Sequence, residues 1–293
     1  RRRRDQLAHP LDPAARVLLV ALLDEREQRL LRVDRLPQRR VAPPLATLAL
    51  LHAVAVVKAG VFTIMKVIVY IFGIDLLADT GASDWLMAVA AVTILFTSCV
   101  ALTKDNLKAR LAYSTISQLS YITLGVALAT SMGVMGGGLH MVTHAVGKIT
   151  LFMCAGSIYV VTHKTEITQM TGLGRRMPVT FIAFLIGSLS IIGLPPFAGS
   201  WSKWLLILAS ADTGELIIIG VLLVSSLLNV AYLMPLVAKG FFMSHSDEKN
   251  PISLKEGPLL VWLPPALTAF GCVILFFYAG YIQDFLMPLI AKQ

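Results

Sequence analysis

The chain of 293 residues is 56% hydrophobic and only 14% charged, with a mean hydropathy of +0.75. That apolar share exceeds the roughly 45–50% of soluble domains, and apolar runs of about 20 residues recur, which excludes an ordinary soluble enzyme and indicates an integral membrane protein. The net charge of +8 is uneven: residues 1–44 hold 11 of the 14 arginines and no lysine, whereas residues 45–293 hold 3 arginines and all 11 lysines.

The first segment in chain order, residues 1–44, begins RRRRDQLAHP without a Met. Its longest apolar run, residues 17–23, is far short of the roughly 20 residues that a span needs. Acidic residues follow that run, unlike a signal peptide. The segment is expected to be non-native or disordered, and no fold is assigned to it; the functional alternative is a basic arm for lipid headgroups or nucleic acid.

From residue 45 the pattern predicts a bundle of seven transmembrane helices, at about 46–72, 85–103, 108–130, 134–161, 178–208, 215–238 and 259–282. Backbone groups in hydrocarbon must be satisfied internally, and continuous apolar runs without period-two alternation select helices over a barrel. The fold class is therefore all-α, with residues 45–293 as one transmembrane domain. Lys104, Lys108, Arg110, Lys164, Arg175, Arg176, Lys239, Lys249 and Lys255 follow the second, fourth and sixth spans. By the positive-inside rule those loops face the cytoplasm, which orients a multi-pass protein of the cytoplasmic (inner) membrane.

Against this background the ionisable residues inside spans stand out. The first span carries His52 and Lys58; Lys66, nearer its end, is expected to snorkel. The fourth carries HMVTHAVGK, where steps of four residues advance about 40° around a helix and place His140, His144 and Lys148 on one stripe. The fifth carries GLPPFAGSWSKW: Pro195 and Pro196 remove consecutive amide donors and predict a helix break that leaves carbonyls free near Lys203. A charge at bilayer depth costs about 2.5–3.5 kcal/mol even on insertion scales, so such groups normally face a protein interior and mark ion or proton paths. Every Asp and Glu beyond residue 44 falls in a predicted loop or at a span end, so the basic residues need a carboxylate partner from elsewhere. Cys99, Cys154 and Cys272 lie far apart, without C-x-x-C or a Gly-rich dinucleotide fingerprint in the chain, so no metal and no cofactor are expected.

TKDNLKARLAYSTISQLSYITLGVAL followed by GGGLHMVTHAVGKITLFMCAG and GSLSIIGLPPFAGSWSKW resembles, in order and over about residues 45–245, the antiporter-like proton-translocating subunits. That family serves the membrane arm of NADH-quinone oxidoreductase (complex I), membrane-bound hydrogenases and Mrp-type Na+/H+ antiporters. The resemblance implies half of an inverted-repeat fold and a proton relay through His52, Lys58, His140, His144, Lys148 and Lys203. It implies other membrane subunits as partners, the lipid bilayer around them, H+ with or without Na+ as the moved ion, and no nucleic acid. HKTEITQMTGLGRRMP and YLMPLVAKGFF look more Mrp D-like than like complex I subunits. A membrane glutamate and a lysine of the family's first broken helix are expected before residue 45, where the arginine-rich segment stands. An inactive scaffold fragment is the bland alternative; a retinal-type receptor is excluded because residues 259–282 hold no lysine for a Schiff base.

Overall fold

The computed structural model describes residues 57–243 and 256–290, which belong to one compact unit, Pro44–Gln293. His52, Lys249, Lys255, Lys292 and the whole of residues 1–44 lie outside the described residues. The described elements are helices, joined by connections that include one isolated antiparallel bridge, Asn106 with Glu166.

Helix α1, Val57–Lys66, runs on as a π-helical turn, Val67–Phe72. Gly73, at φ 81°, then turns the chain by 81° into α2, Ile74–Thr80. Helix α3, Asp84–Thr103, is mostly apolar and leads to α4, Leu107–Ala127, whose first turn is capped by the Asn106 side chain accepting from the Ala109 amide at 3.1 Å. Thr130 does the same for α5, Ser131–Thr162, accepting from Gly133 N at 3.0 Å. Such caps satisfy amide donors that have no intrahelical acceptor. A short α6, Leu173–Arg176, precedes α7, Pro178–Ile192, which starts on a proline. The Glu256 carboxylate accepts from Val179 N and Thr180 Oγ at the N-terminus of α7, where a negative charge is favoured. The chain continues through α8, Gly199–Asp212, α9, Leu216–Phe242, α10, Leu259–Phe277, and α11, Ala279–Ile290.

Among the described residues α3, α5, α9 and α10 are long and apolar enough to cross a membrane by themselves. The other spans read from the sequence depart for local reasons. Helix α4 is long enough but carries Arg110, Ser114, Gln118 and Tyr121 on one side. The fifth span is divided into α7 and α8, and the seventh ends at Phe277, with α11 as a separate helix. Large apolar side chains such as Val92, Phe96, Leu227 and Phe270 are exposed on the outer faces, as expected where lipid or another subunit is the solvent.

Two large apolar clusters, and a small third one of Val61, Leu119 and Ile122, make the interior among the described residues. One gathers Leu111, Leu151, Ile158, Phe181, Phe184 and Leu236; the other gathers Leu86, Ile94, Leu124, Val134, Leu206 and Leu222. Helices α3 and α4 are also joined by hydroxyls, Ser98 to Ser117 at 2.9 Å and Ser117 to the Ile94 carbonyl at 3.1 Å. Small hydroxyl side chains allow such close approach where the hydrophobic effect gives no drive between helices.

Candidate functional site

The stripe on α5 points inward. His140, His144 and Lys148 are 2%, 1% and 0% exposed. Lys148 is held from α4: its Nζ donates to Ser114 Oγ at 2.7 Å and to the Leu111 carbonyl at 3.2 Å. The imidazoles of His140 and His144 stack with centroids 5.9 Å apart, a consequence of their one-turn spacing. His140 also stacks on Tyr121 of α4 at 5.3 Å, and its Nδ1 meets Ser202 Oγ of α8 at 2.9 Å. Both ring nitrogens of His144 are buried without a hydrogen bond among the described residues.

The far end of the row is the broken span. Helix α7 stops at Ile192, residues 193–198 are not helical, and α8 starts at Gly199. In an unbroken helix the Ile192 carbonyl would accept from the amide of residue 196, but that residue is Pro196 and has no N–H. Lys203 Nζ takes the place of that donor at 2.9 Å, and reaches Ser226 Oγ of α9 at 3.1 Å. The same ammonium sits 5.0 Å from the centroid of the Tyr121 ring, a cation–π geometry. Glycines admit this arrangement. Gly193 has φ 90°, and a Cβ there would come within 2.8 Å of the Lys203 stem. A Cβ on Gly199 would overlap the Ser190 carbonyl.

Tyr121 thus touches both His140 and Lys203, and the side chains run Lys148, His144, His140, Tyr121, Lys203 without leaving the interior. Lys58 on α1 is buried at 7% exposure and lies within electrostatic reach of His140, His144 and Lys148. Lys66 is instead exposed, its Nζ 5.0 Å from the Phe62 ring. No Asp or Glu is buried among the described residues. Lys148 and Lys203 are therefore held by carbonyl and hydroxyl oxygens, which stabilise an ammonium without fixing its charge as a carboxylate would.

Several participants were not singled out in the sequence. Beside the basic row, Ser114 Oγ is 2.8 Å from the Tyr232 hydroxyl, which donates to Asn229 Oδ1; Gln118 Nε2 donates to that same oxygen at 3.4 Å. Arg110, read as a loop residue, is buried in the first turn of α4, where Nε donates to the Lys104 carbonyl at 2.8 Å and a terminal nitrogen to the Tyr232 carbonyl at 3.0 Å. The available signal was spacing: Arg110, Ser114, Gln118 and Tyr121 recur every three or four residues on α4, and Ser225, Asn229 and Tyr232 do so on α9. Polar stripes of this kind on two spanning helices indicate a shared polar seam.

A family profile described as NADH:quinone oxidoreductase/Mrp antiporter, TM, matches residues 35–229. The L component of NADH-quinone oxidoreductase from Rickettsia conorii is 32% identical over 247 residues, covering 84% of this chain and 36% of the relative. The D component of the Na(+)/H(+) antiporter from Alkalihalophilus pseudofirmus is 29% identical over 255 residues, covering 85% of this chain and 51% of the relative. A chain of the membrane-bound sulfane sulfur reductase, an archaeal respiratory membrane complex, superposes with a TM-score of 0.74 at 28% identity, over 84% of this chain and 49% of that one. The chain therefore spans between about a third and a half of the relatives it matches. With a profile match that includes α3 to α8 and the stripe on α5, the chain belongs to the NADH:quinone oxidoreductase/Mrp antiporter transmembrane family.

Proposed function

We propose that this chain is a proton-translocating subunit of a multisubunit membrane assembly, moving protons along Lys58, Lys148, His144, His140 and Lys203; His52, an expected member of the relay, lies outside the described residues. The observation that carries this reading is that Lys148 and Lys203 are both buried and bound by neutral oxygens. A lysine in that setting can hold a proton and release it, because burial penalises the ammonium while the carbonyls and hydroxyls compensate part of the loss. The histidines between them offer ring nitrogens that can accept or donate a hydrogen bond or a proton. The break made by Pro195 and Pro196 supplies the carbonyl that receives Lys203.

The host assembly is proposed to be a monovalent cation/H+ antiporter of Mrp type, with this chain in the Mrp D-like position, on the strength of the motifs in residues 163–178 and 232–242. A second reading, the membrane arm of a complex I-type enzyme, is favoured by the higher identity to the L component of NADH-quinone oxidoreductase. Purifying the tagged chain from its own membranes separates them: NADH-oxidising partners indicate the second, and Na+-dependent proton exchange without them indicates the first.

The relay itself is tested in everted vesicles from cells carrying the chain in its assembly. Lys148→Ala and Lys203→Ala are each expected to lower proton transport about 100-fold, the range for loss of a positioned proton carrier, with the protein still inserted. Lys148→Arg is expected to fail as well, since a guanidinium does not release its proton. Normal transport in the arginine variant overturns the carrier role.

A further inference from the structure

Lys148 has a second, neutral connection that its histidine neighbours do not share. An ammonium can only donate. Its short bond to Ser114 Oγ, 2.7 Å, therefore turns the Ser114 hydrogen toward the Tyr232 hydroxyl, 2.8 Å away, and the Tyr232 hydrogen toward Asn229 Oδ1. With Lys148 charged, each donor in this row points away from it and toward α9. A neutral amine has a lone pair, so the same contacts can run backwards: Ser114 donates to Lys148, and Tyr232 donates to Ser114. Asn229 Nδ2, which makes no hydrogen bond among the described residues, then becomes the donor to Tyr232 once its amide rotates together with that of Gln118, whose Oε1 is likewise without a partner there and replaces Nε2 toward Asn229. The distal end of the row is not isolated. Asn229, Ser225 and Ser226 lie beside the Tyr121 hydroxyl, which makes no hydrogen bond among the described residues; the Tyr121 ring faces Lys203 at 5.0 Å, and Ser226 holds Lys203.

We propose that Ser114, Tyr232 and Asn229 form a hydrogen-bond switch that reports the charge of Lys148 to Lys203, with Tyr232 as its positioning residue and no proton passing along it. This rests on the proton-carrying reading of the two lysines. A carboxamide is a poor proton carrier, so a row ending in Asn229 transmits orientation rather than charge. The row is also rigid where it must be. Arg110 binds the Tyr232 carbonyl, and the ring of Tyr232 is wholly buried among apolar neighbours that include Leu111 and Leu236. Hydrogen bonds in series polarise one another in a low dielectric, which makes the orientation at one end sensitive to the other. The groups that bear on Lys148 are Ser114 and the Leu111 carbonyl of α4, Lys58 of α1 and His144 of α5 itself; Tyr232 of α9 reaches it through Ser114, Arg110 of α4 holds the Tyr232 carbonyl, and Cys272 of α10 reaches α5 at Thr150. Among them Tyr232 joins α4 to α9 through its hydroxyl, which can donate or accept.

The test uses the full chain in its native assembly, with transport measured over a range of pH in everted vesicles. Tyr232→Phe keeps the ring and removes the hydroxyl. It is expected to lower the rate per molecule about tenfold and to move the acid limb of the pH profile about half a unit toward lower pH, because the charged row loses its continuation. Asn229→Leu removes the far end and is expected to give the same shift; the double variant is expected to be no worse than the stronger single one, since both interrupt one row. A Tyr232→Phe protein with wild-type rate and profile per molecule, or one that is only less abundant, overturns the switch. Asn229→Leu is read by the same criteria if the phenylalanine variant does not assemble. Wild-type transport in Lys148→Ala would instead overturn the proton-carrying reading beneath it, so the two failures are distinguishable.

Discussion

Lys148 and Lys203 solve one problem in two ways. Lys148 sits in an unbroken helix and borrows acceptors from its neighbour α4: a hydroxyl, and the Leu111 carbonyl, which also accepts from Thr115 Oγ at 2.8 Å. Lys203 sits just after a break in its own span and uses a carbonyl that the break has freed, plus one hydroxyl and an aromatic face. An intact helix offers few spare acceptors, because its carbonyls are engaged every four residues. A lysine on such a helix depends on side chains across the interface, whereas a lysine beside a break depends on the break. The two sites should therefore fail under different substitutions.

The largest expected effect falls on the break. Gly199→Ala drives a Cβ into the Ser190 carbonyl and should cost about 3 kcal/mol or more, seen as loss of heat-stable protein in detergent. Ser114→Ala comes next, at about 2 kcal/mol, because it leaves a buried ammonium with a long, shared carbonyl as its remaining contact among these two. Pro196→Ala restores an amide that competes with Lys203 for the Ile192 carbonyl. It should slow transport about tenfold, equivalent to one hydrogen bond to a charge, while leaving Lys148 variants unaffected in rank. Transport at the wild-type rate in this variant would show that the freed carbonyl is not what holds Lys203. Ser226→Ala should be mildest, at about 1 kcal/mol or less, since Lys203 keeps Ile192 and Tyr121. An effect larger than that of Ser114→Ala would reverse the comparison.

Much of this was readable beforehand because a charge in an apolar run is conspicuous. The four-residue spacing from His140 to Lys148 and the paired prolines before Lys203 carry their geometry with them. The neutral members were harder to read. Serine is common in spanning helices and usually bonds to its own helix, as Ser120 does to the Ile116 carbonyl and Ser210 to the Leu206 carbonyl. Nothing in one helix distinguishes those from Ser114, which reaches across to Lys148 and Tyr232. Arg110 departs from the loop position its charge suggests for a related reason. A basic residue near a span end normally stays in the headgroup region, but this one finds two carbonyls, on Lys104 and Tyr232, and folds inward. Helices α2 and α11 are hard to read from the sequence, because Asp75 and Asp79 give α2 the look of a loop and the stop at Phe277 falls within a continuous apolar stretch.

The most direct test of the account is chemical replacement of the amine at position 148. In a background with Cys99→Ser, Lys148→Cys is expected to abolish proton transport in vesicles. Treatment with 2-bromoethylamine should then restore it by building a lysine analogue on the sulfur, with mass spectrometry confirming the modification at position 148. An uncharged ethyl reagent of similar size should modify the same thiol without rescue. Transport that persists in the cysteine variant, or that stays absent after confirmed aminoethylation, would contradict the claim that a titrating amine at this point of the buried row carries the proton.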